Sequence, residues 1–169
     1  MPSLHDTYHR QPPGGHCNLS PLEHSICWFK DVMRTIDYLE TRPEFDVSKL
    51  AYEGASWGAT YAPVLPALEP RFKAVVMMGG ALDCSLAPEF SHFNFGPRVK
   101  TPFLIQNGRY DPIAKVASTG PLIDLLGTAA QDKHYKLYDI GHSLWNLSEN
   151  TRDEMAFLDK YLGTNITAK

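Results

Sequence analysis

Residues 49–59 read Lys49-Leu-Ala-Tyr-Glu-Gly54-Ala-Ser56-Trp-Gly58-Ala59, and no other stretch limits the possible folds of this chain as tightly. Lys49 to Glu53 is strand-like, and the residues after Ser56 are compatible with a helix, limited by Pro63 and Pro66, which cannot donate to a helical ladder. Small residues two before and two after a serine let a strand turn sharply into a helix with the hydroxyl exposed at the apex. The pattern therefore predicts a strand, a tight turn presenting Ser56 as a nucleophile, and a helix.

The elements on either side continue that alternation. Phe72 to Met78 is a continuous apolar run of the kind buried on both faces of a parallel sheet, broken by Gly79-Gly80. Phe103 to Gln106 is the next buried strand, Val116 to Leu126 a helix closed by Gly127, and Lys136 to Ile140 a further strand. A last helix starts at about Ser148, carries Met155, Leu158 and Leu162 on one face, and stops at Gly163. Upstream, Ser20-Pro21-Leu22-Glu23 is a capping box; Phe29, Val32, Met33, Ile36 and Leu39 recur at helical spacing until Arg42-Pro43 ends the segment. The prediction is an α/β fold: a mostly parallel sheet of about four strands, right-handed crossovers, and helices on both faces. Residues 1–19, rich in Pro, Gly and His, read as an irregular arm, residues 20–163 as one domain, and residues 164–169 as a tail.

Two further residues follow Ser56 in a chemically meaningful order. Asp111 comes just past one apolar strand, in Asn107-Gly-Arg-Tyr-Asp111, and His142 just past another, in Gly141-His142. Taken alone, Asp111 before Pro112 is a good helix N-cap and His142 a loop residue. Taken together, serine, acid and base at the ends of successive strands form the order of a Ser-Asp-His triad, at the sheet edge where open α/β sheets build their sites. Asp83, after the strand ending at Met78, is the runner-up for the acid. Tyr61, Phe93 and Tyr110 are candidates for a substrate pocket, although aromatics usually serve the core.

Composition narrows the function. At 169 residues, with 43% hydrophobic and 21% charged residues, the chain has the balance of one ordinary globular domain, and its net charge of −3 offers no footprint for nucleic acid or an anionic membrane. Three cysteines, Cys17, Cys27 and Cys84, suit neither a disulfide framework nor a zinc site, and the seven histidines show no ligand spacing, so no metal or cofactor is expected. The first residues carry no basic region followed by an apolar segment, which makes the cytoplasm the expected location and the sequons at Asn18, Asn146 and Asn165 chance matches.

From Lys30 to Gly163 the chain resembles the α/β-hydrolase superfamily, and within it the dienelactone-hydrolase-like and prolyl-oligopeptidase-like esterases. Residues 31–43, the elbow at 49–59, Asn107-Gly-Arg-Tyr-Asp111 and Gly141-His142 carry the likeness. The resemblance implies Ser56 as nucleophile, Asp111 as orienting acid, His142 as general base, and the backbone N–H of Trp57 as an oxyanion donor. It also implies a departure: in that superfamily the nucleophile strand is the fifth of eight, whereas one helix and the arm precede it here. The nucleophile strand would then be a sheet edge, and the second oxyanion donor, normally from a loop after the third strand, has no counterpart. Amides of Gly14 and Gly15 in the arm, a second copy pairing edge to edge as a homodimer, or another partner chain would each supply what is lacking. The implied activity is ester hydrolysis through an acyl-enzyme, and the small size of the chain, which leaves little room for a lid, points to short acyl esters. The alternatives are a hydrolase-fold module that binds a partner through its open edge, and a serine peptidase.

Overall fold

Helix α1 (Pro21–Glu40) starts where the capping box predicts. The Glu23 amide donates to Ser20 Oγ at 3.3 Å, and the Ser20 amide donates to the Glu23 carboxylate at 2.7 Å, so two amides that a helix start leaves without partners are satisfied reciprocally. The computed structural model describes residues 20–143 and 148–164. Within them α1 belongs to a unit that ends at Val47, and a second unit begins at Ser48 and holds the sheet.

Four strands, β1 (Leu50–Ala55), β2 (Phe72–Met78), β3 (Phe103–Gly108) and β4 (Lys133–Tyr138), lie parallel in the order β1-β2-β3-β4. Helices α2 (Trp57–Tyr61) and α3 (Leu65–Leu68) link β1 to β2, and α4 (His92–Phe95) lies between β2 and β3. Helix α5 (Val116–Leu125) links β3 to β4, and α6 (Ser148–Leu162) follows β4. On one face of the sheet Val75, Met77, Phe103 and Ile105 pack with Ala59, Ala62, Leu122 and Leu126, residues of the α2 and α5 segments. On the other, Ala74, Val76, Met78, Leu104 and Tyr138 pack with Phe157 of α6. Because both faces are covered, β2 and β3 need no polar alternation, which is why they read as unbroken apolar runs. The fold is thus the predicted α/β architecture with helices on both faces.

The boundaries shift for reasons of pairing. Strand β1 runs on to Ala55, whose register partner is Met78, and the Ser56 amide adds a last rung by donating to the Met78 carbonyl at 2.9 Å. Strand β3 continues to Gly108 because Asn107 and Gly108 pair with Leu137 and Tyr138. Strand β4 starts at Lys133, opposite Phe103, and ends at Tyr138, where the amides of Arg109 and Ile140 both donate to the Tyr138 carbonyl, at 2.7 and 2.9 Å, and turn the chain out of the sheet. Met155 is 52% exposed; the inward side of α6 is Phe157, flanked by Leu158, Tyr161 and Leu162.

Among the described residues β1 pairs with β2 alone, so its far side is a sheet edge. On this strand Glu53 meets Glu154 of α6. Burial, the Glu53 charge and the hydrogen bond between the two carboxyls push the Glu154 carboxyl up from 4.5 to about 7. An acid whose folded pKa is raised binds more protons in the folded than in the unfolded state between the two values. Stability therefore falls as pH rises from about 4.5 to about 7. Glu154→Gln is expected to raise the melting temperature above that window and leave it unchanged below it, as a calorimetric series from acid to mildly alkaline pH would read.

Among the described residues no helix is long and apolar enough to cross a membrane. Nor does any group of three or more His, Cys, Asp or Glu side chains within them have the arrangement of a metal site.

Candidate active site

The turn at Ser56 is built by close approach of two backbones. A Cβ on Gly54 would stand 2.5 Å from the Gly58 carbonyl oxygen, so the strand entering the turn and the helix leaving it touch without side chains between them. Tyr52 reinforces the contact by donating its hydroxyl to the Gly58 carbonyl at 2.7 Å; burial, then the nearby Tyr61, push that phenol above its ordinary range and keep it a neutral donor. Ser56 is the single non-glycine residue with positive φ among those described, at φ 49° and ψ −107°. Such a conformation costs on the order of 1–3 kcal/mol and persists only where the surroundings hold it. Here the rung to Met78 and the Tyr52 bond do so, and the hydroxyl is held out at the carboxyl end of the sheet.

Asp111 follows β3, and its two carboxylate oxygens have separate tasks. Oδ1 accepts the amides of Ile113 and Ala114 at 2.8 and 2.9 Å, which closes a local turn and not the helix N-cap the sequence allows, since α5 begins only at Val116. Oδ2 accepts from Nδ1 of His142 at 2.7 Å. Burial of Asp111 works against its charge, but the bonds from His142, Ala114 and Ile113 outweigh it and hold the carboxyl below the usual range. With Nδ1 donating, Nε2 of His142 is the acceptor, and the Ser56 hydroxyl donates to it at 2.7 Å. Ser56, His142 and Asp111 thus form one continuous hydrogen-bonded line, each from the end of a different strand.

The chain behind this line is clamped by buried polar side chains that sequence reading does not single out for that purpose. Gly79, at φ 61°, lies against the imidazole, where a Cβ would be 3.2 Å from Cε1 of His142. Next to it the side-chain amide of Asn107, fully buried, accepts from the Gly80 amide at 3.2 Å and donates to the Gly80 carbonyl at 2.9 Å. The same Asn107 nitrogen donates to Thr119 Oγ1 at 2.8 Å. His92 is also fully buried: its Nε2 donates to the Thr60 carbonyl at 2.8 Å while Nδ1 accepts the Asp83 amide at 3.3 Å. Burial lowers its pKa, which suits a neutral ring that must donate at one nitrogen and accept at the other. For Asn107 the available signal was a polar residue at the end of an apolar strand, which asks for a buried bonding partner, whereas His92, set among Ser91, Phe93 and Asn94, gave none.

A cavity of about 610 Å³ opens beside Ser56, walled by Trp57, Thr60, Asp83 and Ile113 among others. Asp83 is in this wall and makes no bond to His142. Its Oδ1 is taken by the Ser85 amide and hydroxyl at 2.8 and 2.6 Å. Tyr61, Phe93 and Tyr110 do not line the cavity. Tyr61 is turned into the core with its ring edge-on to Trp57, whereas Phe93 and Tyr110 are exposed, Phe93 because its neighbour His92 takes the inward side of α4. Trp57 directly follows Ser56 at the start of α2. Gly14 and Gly15 lie outside the described residues.

A serine at a strained strand-to-helix turn, with histidine and aspartate delivered by the segments after later parallel strands, is the arrangement of an α/β-hydrolase. The chain belongs to the dienelactone hydrolase family, whose family model matches residues 25–164. No curated protein matches it. Among solved structures it is similar to TT1662 from Thermus thermophilus, at 19% identity and a TM-score of 0.73, covering 95% of this chain and 75% of that one. It is also similar to an acetyl xylan esterase from Paenibacillus sp. R4, at 20% identity and a TM-score of 0.68, covering 93% of this chain and 60% of that one. A puromycin-hydrolyzing peptidase of Mycobacterium tuberculosis gives 18% identity and a TM-score of 0.68, and there the chain spans 25% of the peptidase's length. At these identities the likeness is one of fold.

Proposed function

We propose that this protein is a serine carboxylester hydrolase acting on short acyl esters through an acyl-enzyme. The observation that carries the reading is the line Asp111–His142–Ser56, with both hydrogen bonds at 2.7 Å, the hydroxyl's partner being an imidazole nitrogen placed to accept its proton. Esterases among the structurally similar proteins support the same class.

In this mechanism Ser56 Oγ attacks the ester carbonyl carbon as its proton moves to Nε2 of His142. Asp111 keeps the imidazole oriented with Nδ1 as donor and stabilises the imidazolium that forms. The carbonyl oxygen becomes an oxyanion within reach of the Trp57 amide, a contact that matters more as charge develops. Collapse of the tetrahedral intermediate breaks the bond to the alcohol oxygen, which leaves with the proton from His142. Water then attacks the acyl-enzyme with the same base and the acid is released. The adjoining cavity, at about 610 Å³, suits a short acyl chain and a small alcohol.

The test is hydrolysis of p-nitrophenyl acetate and butyrate by the purified chain, together with reaction of a fluorophosphonate mapped by peptide mass spectrometry. Ester turnover with the adduct on Ser56 is expected. A folded chain that cleaves neither ester and takes no label would overturn the reading and return the protein to the non-catalytic class.

A further inference from the structure

We propose that Asp83 makes the site selective for esters that carry an ammonium group, by presenting a fixed carboxylate to the cavity that holds Ser56. The proposal rests on the esterase reading of that cavity and extends it to a substrate class.

Asp83 is not used by the Ser56–His142–Asp111 line, yet it is held with care. Its backbone amide is tied to His92, which is itself tied to the Thr60 carbonyl, and both contacts are partly buried. The Ser85 amide and hydroxyl both donate to Oδ1, which fixes the orientation of the carboxylate. Among the described residues Oδ2 has no hydrogen-bond donor and the carboxylate no ion-pair partner. Of the described residues that wall the cavity, Asp83 alone carries a formal charge; Thr60, Cys84 and Ser85 contribute neutral groups. A carboxylate that is oriented in advance and lacks a cation binds one at little cost in ordering.

A second feature of the same wall points to the same ligand chemistry. Trp57, 67% exposed, lines the cavity with Asp83, and an indole face attracts an ammonium ion through its quadrupole. Carboxylate and indole together favour a cationic substituent on the ester and oppose an anionic one. In a partly enclosed cavity such an attraction exceeds that of an open surface pair, and it weakens as salt shortens the Debye length.

The experiment compares three p-nitrophenyl esters of equal size, a trimethylammonio-alkanoate, its uncharged tert-butyl isostere and the corresponding carboxylate, on wild type, Asp83→Asn and Asp83→Glu. Wild type is expected to prefer the ammonium ester over the isostere about tenfold in kcat/KM, chiefly through KM, with the preference shrinking at high salt. Asp83→Asn should bring the ratio close to one by raising KM for the ammonium ester, with a cooperative melting transition near the wild-type temperature showing that the variant is folded; Asp83→Glu should retain the preference. A wild-type ratio at or below one, or a ratio that survives Asp83→Asn, would overturn the proposal. Should none of the three esters be cleaved, the esterase reading fails separately. The Asp83 site is then read by NMR titration of tetramethylammonium into the Ser56→Ala chain with and without Asp83→Asn, and binding that is absent or indifferent to Asp83 would overturn it.

Discussion

Ser56→Ala is expected to lower kcat on short esters by roughly 10⁴- to 10⁶-fold, the range seen when a triad nucleophile is removed and only binding and oxyanion contacts remain. Alanine keeps a Cβ in the same positive-φ position, so the backbone cost of the turn is unchanged; what disappears is Oγ and its 2.7 Å bond to His142. The melting temperature should therefore move by no more than a few degrees, which one lost hydrogen bond of about 1 kcal/mol permits. Residual ester turnover within tenfold of wild type would mean that another group performs the attack. Fluorophosphonate labelling of the variant distinguishes the two cases, because the adduct must vanish along with the activity.

Asp111→Asn is expected to cost about 10⁴-fold in kcat with the turn itself largely intact. The asparagine oxygen can still accept the Ile113 and Ala114 amides. Its NH₂ then faces Nδ1 of His142, where the carboxylate accepted a proton. Nδ1 must become the acceptor and Nε2 the donor, so the ring presents a proton to Ser56 instead of a lone pair. Stability adds an independent check. The folded carboxyl titrates below its unfolded value of 3.8, so its contribution is present above that pH and is lost as pH falls through the lower folded value. The difference in melting temperature between wild type and variant should narrow on the acid side. Asp83→Asn, on uncharged esters, should leave kcat nearly unchanged, since Asp83 makes no bond to His142.

The sheet and the order of Ser56, Asp111 and His142 were legible because each rests on a local pattern: an apolar run, a break, and a chemically distinctive residue at the break. Boundaries were less legible because they depend on partners remote in sequence. Ala55 joins β1 through Met78, and Lys133 joins β4 through Phe103, neither of which a window of neighbouring residues contains. Pocket walls failed for a related reason. Tyr61, Phe93 and Tyr110 have the right chemistry to line a cavity, but a side chain's direction follows from the packing of its element, and the core claimed Tyr61 while solvent claimed the other two. Asn107 and His92 show the converse: their importance lies in hydrogen bonds spanning 27 and 32 residues, which composition and spacing do not encode.

Among the described residues the two outer strands of the sheet carry the two hydrogen-bonded partners that would exchange a proton: Ser56 follows β1, and His142, 86 residues away, follows β4. Strand ends at a sheet margin fray before its centre does. On the proposed esterase reading, turnover should disappear at lower denaturant than the helical signal of the interior. Under the proposed mechanism the architecture couples catalytic competence to complete assembly: a nascent or partly opened chain would present a serine hydroxyl without its base, and stay chemically silent until both borders of the sheet have closed.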